Sequence, residues 1–212
     1  MAAHDVPRPS LLPGWTRGHV LAHLARNADG YRRLLEGART GTPVQRYPSE
    51  ASRQADIDAG ASRTVDEHLA DIWTSAGNLD TAFENLPLEA WTVPVVGRSG
   101  TRAIAAALVW WRLREVEVHH VDLDSGYGPR AWTDSFVLRL LHDLESGLVT
   151  DPPARMIAMD LEREYSPGPA DGPSLTVAGS GHALAAWLIG REDGASLTVR
   201  PAGPLPSVPG WK

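Results

Sequence analysis

From Leu108 to Asp122 the chain reads LVWWRLREVEVHHVD. Leu108, Trp111, Glu115, Val118, His119 and Asp122 fall on the i, i+3, i+4, i+7 stripe of one helix face. That stripe constrains the fold more than any other feature. It commits the segment to a helix packed on a core, yet it places carboxylates and an imidazole where apolar side chains belong. Carboxylates are almost never fully buried unless paired or metal-bound. Glu115 and His119, four residues apart, are neighbours on the helix surface. Glu117 and His120 fall toward other sides.

A carboxylate and an imidazole at this spacing supply two ligands of a divalent-metal site, and a third must come from another helix. The segment PGWTRGHVLAHLARNADGYRRLLEGA offers His19 and His23, again four apart, in a helix that Thr16 is suited to cap. Val20, His23, Leu24, Asn27, Tyr31, Leu34 and Leu35 recur on one side, which leans the choice toward His23 and leaves His19 near the rim. A Glu–His pair at i, i+4 is also an ordinary surface pair, so spacing alone leaves the metal site open. His19 by itself, His68, His142 and His182 read as surface or helix-cap groups, and His4 has no role. Arg191 closes ALAAWLIGR, where an arginine either satisfies helix-end carbonyls or grips a carboxylate with two prongs.

There is no cysteine, so disulfides and a protein-borne thiol are excluded. Any thiol chemistry must borrow its thiol from a small molecule. A net charge of -6 argues against nucleic acid as a partner. No apolar run is long enough for a membrane span and the N-terminus lacks a signal-peptide pattern, so a cytoplasmic location is expected.

Thr64 and Glu67 form a capping-box pattern opening a helix that carries Leu69, Ile72, Trp73, Leu79 and Phe83. A shorter helix is expected from Glu50 to Ala59, and the helix of the opening stripe from about Thr101 to Asp124. Beyond Trp132 the texture changes: a helix from Ser135 to Gly147, strands in ARMIAMDLERE, SLTVAG and ASLTVRP, and a short helix in GHALAAWLIGR. The expected class is α+β, with a helical part over 1–128 and a small α/β part over 129–212. Most of the eight tryptophans are expected to be core or packing residues.

LLPGWTRGHVLAHLARNADG and WWRLREVEVHHVDL together resemble the two signature segments of the mycothiol-dependent maleylpyruvate isomerases, within the DinB-like superfamily of helical-bundle metalloproteins. AAWLIGREDG resembles the family's C-terminal arginine motif. The resemblance implies a DinB-like metal-binding bundle followed by a small α/β domain. It implies His23, Glu115 and His119 as ligands of a divalent metal, expected to be zinc, and Arg191 as the catalytic, substrate-side arginine. Mycothiol would be the thiol cosubstrate. Its thiolate would add to the cis double bond of maleylpyruvate, and rotation and expulsion would give fumarylpyruvate. The alternatives are a mycothiol S-transferase acting on electrophiles and a non-catalytic metal-binding module. The family is monomeric, but its members carry a long helix before LPGW, where this sequence has only about a dozen residues. Either the start is assigned late or the bundle is shortened. A shortened bundle is expected to expose apolar grooves and to favour self-association.

Overall fold

Thr16 opens the first long helix, α1 (Arg17–Thr40), through a capping box in which His19 fills the third position. The His19 ring nitrogen Nδ1 sits 2.7 Å from the Thr16 hydroxyl, so this imidazole is occupied with the helix end. At the other end Gly41, at φ 68, takes the left-handed cap that favours glycine. The computed structural model describes residues 5–98, 100–145, 147–166 and 175–210; His4 and Trp211 lie outside them.

The chain forms two compact units, Met1–Ser125 and Gly126–Lys212. In the first, α1 is the hub, packing against α2 (Glu50–Gly60), α3 (Val65–Glu84) and α4 (Ala107–Asp122). Two apolar clusters lie along it. Val20, Leu21 and Leu24 meet Leu123 in one, and Tyr31, Leu34 and Leu35 meet Leu79 and Leu108 in the other. His23 and Asn27 sit at their junction, so a polar layer divides the core.

Close approach to α1 depends on two glycines two turns apart. At Gly37 a Cβ would lie 2.8 Å from the Thr42 carbonyl oxygen, and at Gly30 one would lie 2.8 Å from Arg46 Cγ. Real Cβ atoms do not come this close, so the residue 42–46 connector folds back along α1 only because both side chains are absent. That path delivers Arg46 onto the polar layer.

The expected helix from Thr101 begins later. Residues before it form a hairpin, β1 (Pro94–Val96) antiparallel to β2 (Arg102–Ile104). Gly97 and Gly100 supply the turn, the latter at φ 79. Ala105 and Ala106 then donate backbone hydrogen bonds to Val93 and Trp91, so helical pairing starts only at Ala107. Helix α3 also faces differently from its apolar pattern. It buries His68, Ser75 and Leu79, while Leu69 is exposed and Trp73 is 76% exposed. His68 is therefore a core residue and no surface group, and Trp73 departs from the expectation for tryptophans. Helix α4 exposes Val109, Leu113 and Val116, a second apolar stripe opposite the one that packs. Among the described residues no helix is long and apolar enough to cross a membrane.

The second unit is α/β. A four-stranded sheet has the order β4 (Arg163–Tyr165), β3 (Ala154–Ala158), β5 (Leu175–Gly179), β6 (Thr198–Arg200). Only the β3–β5 pair is parallel, with Met156 opposite Val177 in register. ARMIAMDLERE thus yields two strands and a turn, with Glu162 at φ 48. Helix α6 (Gly181–Leu188) packs on α5 (Asp134–Glu145) and on the sheet. The whole is α+β.

Candidate metal centre

His23 comes from the middle of α1, and Glu115 and His119 from successive turns of α4. The two helices face each other so that His23 Nε2 is 3.0 Å from Glu115 Oε2. His119 Nε2 is 3.4 Å from the same oxygen. One donor atom from each residue lies within 4.8 Å of the other two. The two imidazoles meet edge to face at 4.6 Å between centroids. Both are buried, at 4% and 8% exposure, while the Glu115 side chain stays 17% exposed. Two nitrogens and one carboxylate oxygen are a donor set that zinc and similar divalent ions accept, with a position left open.

Asp122 orients His119. Its buried carboxylate oxygen lies 2.8 Å from His119 Nδ1, three residues along the same stripe. That contact places a proton on Nδ1 and turns Nε2 toward the triad, where it donates to Glu115 when the ring is cationic and would offer its lone pair to a bound ion, the arrangement found behind many metal-bound histidines. His23 has the opposite kind of neighbour, for the Arg53 guanidinium is 3.1 Å from its Nδ1. A guanidinium can only donate, so in this arrangement Nδ1 accepts and the proton sits on Nε2, pointing at Glu115.

The protonation states follow from these contacts. Burial pulls the His23 pKa down to about 4; the nearby His119 and Arg53 cations add to this, and Glu115 opposes it only in part. Burial alone would raise the Glu115 carboxyl. Hydrogen bonds from His119 and His23 and the charges of His23 and Arg46 outweigh it and hold the carboxyl well below its ordinary range. Burial disfavours a cationic His119, but Asp122 and Glu115 overcome it and the net shift is upward. Burial, then Glu115, raises the Tyr31 phenol and keeps it neutral.

Around the triad lies a shell that the sequence pattern did not single out. Arg46 spreads over the Tyr31 ring, 4.0 Å from its centroid, and reaches within 3.6 Å of Glu115 Oε1. Arg112 donates to the Leu24 carbonyl at 2.8 Å and to Asn27 Oδ1 at 2.9 Å. Asp122 could have been read from its place on the α4 stripe. Arg46 and Arg53 come from a connector and a short helix with no pattern to mark them.

Arg191 follows α6 in the second unit, where it donates to the Ile189 carbonyl at 2.7 Å. That is the helix-end contact. His182 is half-buried with its Nε2 2.9 Å from the Trp132 carbonyl oxygen, while His142 is exposed.

The family model described as mycothiol maleylpyruvate isomerase N-terminal domain matches residues 1–124. The solved crystal structure of the mycothiol-dependent maleylpyruvate isomerase is similar over 100% of this chain and 88% of that one, at 26% identity and a TM-score of 0.90. The structure of a histidine-to-alanine mutant of that isomerase is similar at 25% identity, with the same coverage and TM-score. No curated protein matches the sequence.

Proposed function

Because this chain belongs to the mycothiol maleylpyruvate isomerase family, we propose that it is a metal-dependent enzyme that uses mycothiol to convert maleylpyruvate to fumarylpyruvate. The observation that carries this reading is the convergence of His23, Glu115 and His119 with Asp122 behind one of them. The donor set fits zinc, which when bound supplies the Lewis acidity that keeps a thiol deprotonated at neutral pH.

The chain's own residues do the rest. Asp122 fixes the His119 tautomer and ring angle. Glu115, ionised throughout the physiological range, supplies negative charge without needing to lose a proton. The apolar clusters on either side of the polar layer limit water there, which strengthens every charge interaction within it. The mycothiol thiolate would add to the cis double bond, the new single bond would rotate, and expulsion of the same thiolate would leave the trans isomer. Arg191 takes the role its motif implies, holding a substrate carboxylate or steadying enolate charge.

Metal analysis of the purified chain tests the site. One divalent ion per chain, lost in His23→Ala and in His119→Ala, is expected; a metal-free chain with full activity refutes it. Incubation with mycothiol and maleylpyruvate tests the reaction. Free fumarylpyruvate with mycothiol recovered supports the isomerase, and a stable thioether conjugate makes the chain an S-transferase instead.

A further inference from the structure

The polar layer holds more positive charge than its own carboxylates neutralise. Arg46 and Arg53 are buried, at 8% and 6% exposure. A buried guanidinium is costly unless an anion and full hydrogen bonding accompany it. For Arg46 the Glu115 carboxylate, whose other oxygen is engaged by His23 and His119, is 3.6 Å away. Arg53 reaches Glu50 at 3.2 Å, but Arg98 grips that same carboxylate at 2.9 and 2.7 Å.

Among the described residues, four buried donors in this layer find no acceptor: Nε of Arg46, Nε of Arg53, Nδ2 of Asn27 and the Tyr47 hydroxyl. Asn27 is fully buried, one turn from His23, with its oxygen already taken by Arg112. The two guanidiniums converge on one ring, lying 5.2 and 5.6 Å from the Tyr47 centroid. Native proteins leave few buried donors unpaired. Three of them can only donate, the Tyr47 hydroxyl can donate as well, and two sit on cations, a set that an anionic, planar acceptor fits. A metal ligated by His23 Nε2 would sharpen the need, because neutral His23 would then carry its proton on Nδ1 and could no longer accept from Arg53.

We propose that Arg46, Arg53, Asn27 and Tyr47 form a buried carboxylate subsite beside the triad, which binds a carboxylate of the enzyme's unsaturated substrate. The subsite deepens the function proposed above and rests on it for the identity of that substrate. It restricts the substrate class to carboxylate-bearing alkenes, and it aligns the alkene by gripping one end in two-pronged fashion.

The test is calorimetric titration of the full chain, stripped of metal by chelation, with maleate, a cis-dicarboxylate that needs no thiol to bind. Saturable binding is expected, weakened at least about tenfold by Arg53→Gln, the loss of one charge-assisted contact. Asn27→Asp is the second variant. It is nearly isosteric, and its new carboxylate offers Arg112 and the neighbouring guanidiniums an internal anion, so it should abolish maleate binding while melting no lower than the parent. Unchanged maleate affinity in Asn27→Asp, no binding by the parent, or tighter binding of inorganic phosphate than of maleate overturns the subsite. Divalent-ion content, measured on the metal-loaded forms, separates the two readings. A parent that binds no metal but loses maleate on Asn27→Asp keeps the subsite and overturns the metal centre. A parent that binds metal and whose maleate affinity ignores Asn27→Asp does the reverse.

Discussion

Two glycine-to-alanine changes, each in a helix interior, should move stability in opposite directions. In a helix interior alanine is favoured over glycine by about 0.8–1.0 kcal/mol. Gly77 lies on the exposed side of α3, and a Cβ there would meet nothing within 4 Å. Gly77→Ala should therefore stabilise the first unit by about 1 kcal/mol and raise its melting temperature by roughly 2–4 °C. Gly30 has the same intrinsic gain available, but its Cβ would lie 2.8 Å from Arg46 Cγ, 3.2 Å from Nε and 3.3 Å from the Arg46 carbonyl oxygen. Turning the arginine side chain cannot relieve a main-chain contact, so the connector itself must shift. Overpacking of this kind costs about 1–3 kcal/mol. Moving Arg46 off the Tyr31 ring forfeits a desolvated cation–π contact of about 1–2 kcal/mol more. Less the helix gain, Gly30→Ala should destabilise by about 2 kcal/mol, roughly 3 kcal/mol apart from Gly77→Ala. Urea titration of both variants, followed by the far-ultraviolet helix signal, reads the difference as midpoints displaced to either side of the parent. If Gly30→Ala stabilises as Gly77→Ala does, the connector is not seated against α1 and the placement of Arg46 falls with it.

Other substitutions probe the remaining links. Asp122→Asn removes the carboxylate behind His119 and should weaken divalent-ion affinity by about 10–100-fold, read by chelator competition; undiminished affinity would show that Asp122 orients nothing. In the metal-stripped chain His23 stays neutral down to about pH 4, while in the unfolded chain it takes up a proton below its ordinary value of 6.5. No contribution arises above pH 6.5, and stability is lost as pH falls from there to about 4. The loss should approach about 3 kcal/mol, read as the difference between parent and His23→Gln in urea midpoints at several pH values; parallel pH curves would refute it. Trp73→Gln should change stability by less than about 0.5 kcal/mol, since the side chain packs on almost nothing, and a large loss on thermal melting would mean that the face is covered in solution.

The α4 stripe announced the centre because a helix has a fixed period: once Leu108, Val118 and Asp122 are inward, Glu115 and His119 must be inward too. The same reasoning misled on α3, where Leu69 and Trp73 share an apolar side that faces solvent while His68 is buried. Periodicity reports which residues share a face and is silent on what that face meets. The hairpin before α4 was hidden because Ala103, Ile104 and Ala105 suit helix and strand alike, and the choice falls to backbone pairing with Val93 and Trp91. Arg46 and Arg53 were invisible for a different reason. Their positions depend on a connector laid over Gly37 and Gly30, a contact distant from any local pattern.

The His23–Glu115 contact joins residues 92 apart in the chain. Closing a loop of that size costs about 4 kcal/mol of chain entropy before the contact returns anything. Helix α1 precedes α4 in the chain, and at ordinary rates of synthesis the partner it needs is translated roughly 5–20 s later. Through that interval α2 and α3 can already dock on α1, so what stays uncovered is the face of the polar layer and its apolar flanks that α4 will close. The three donors come together only when α4 docks, so an ion held by all three would mark a finished bundle.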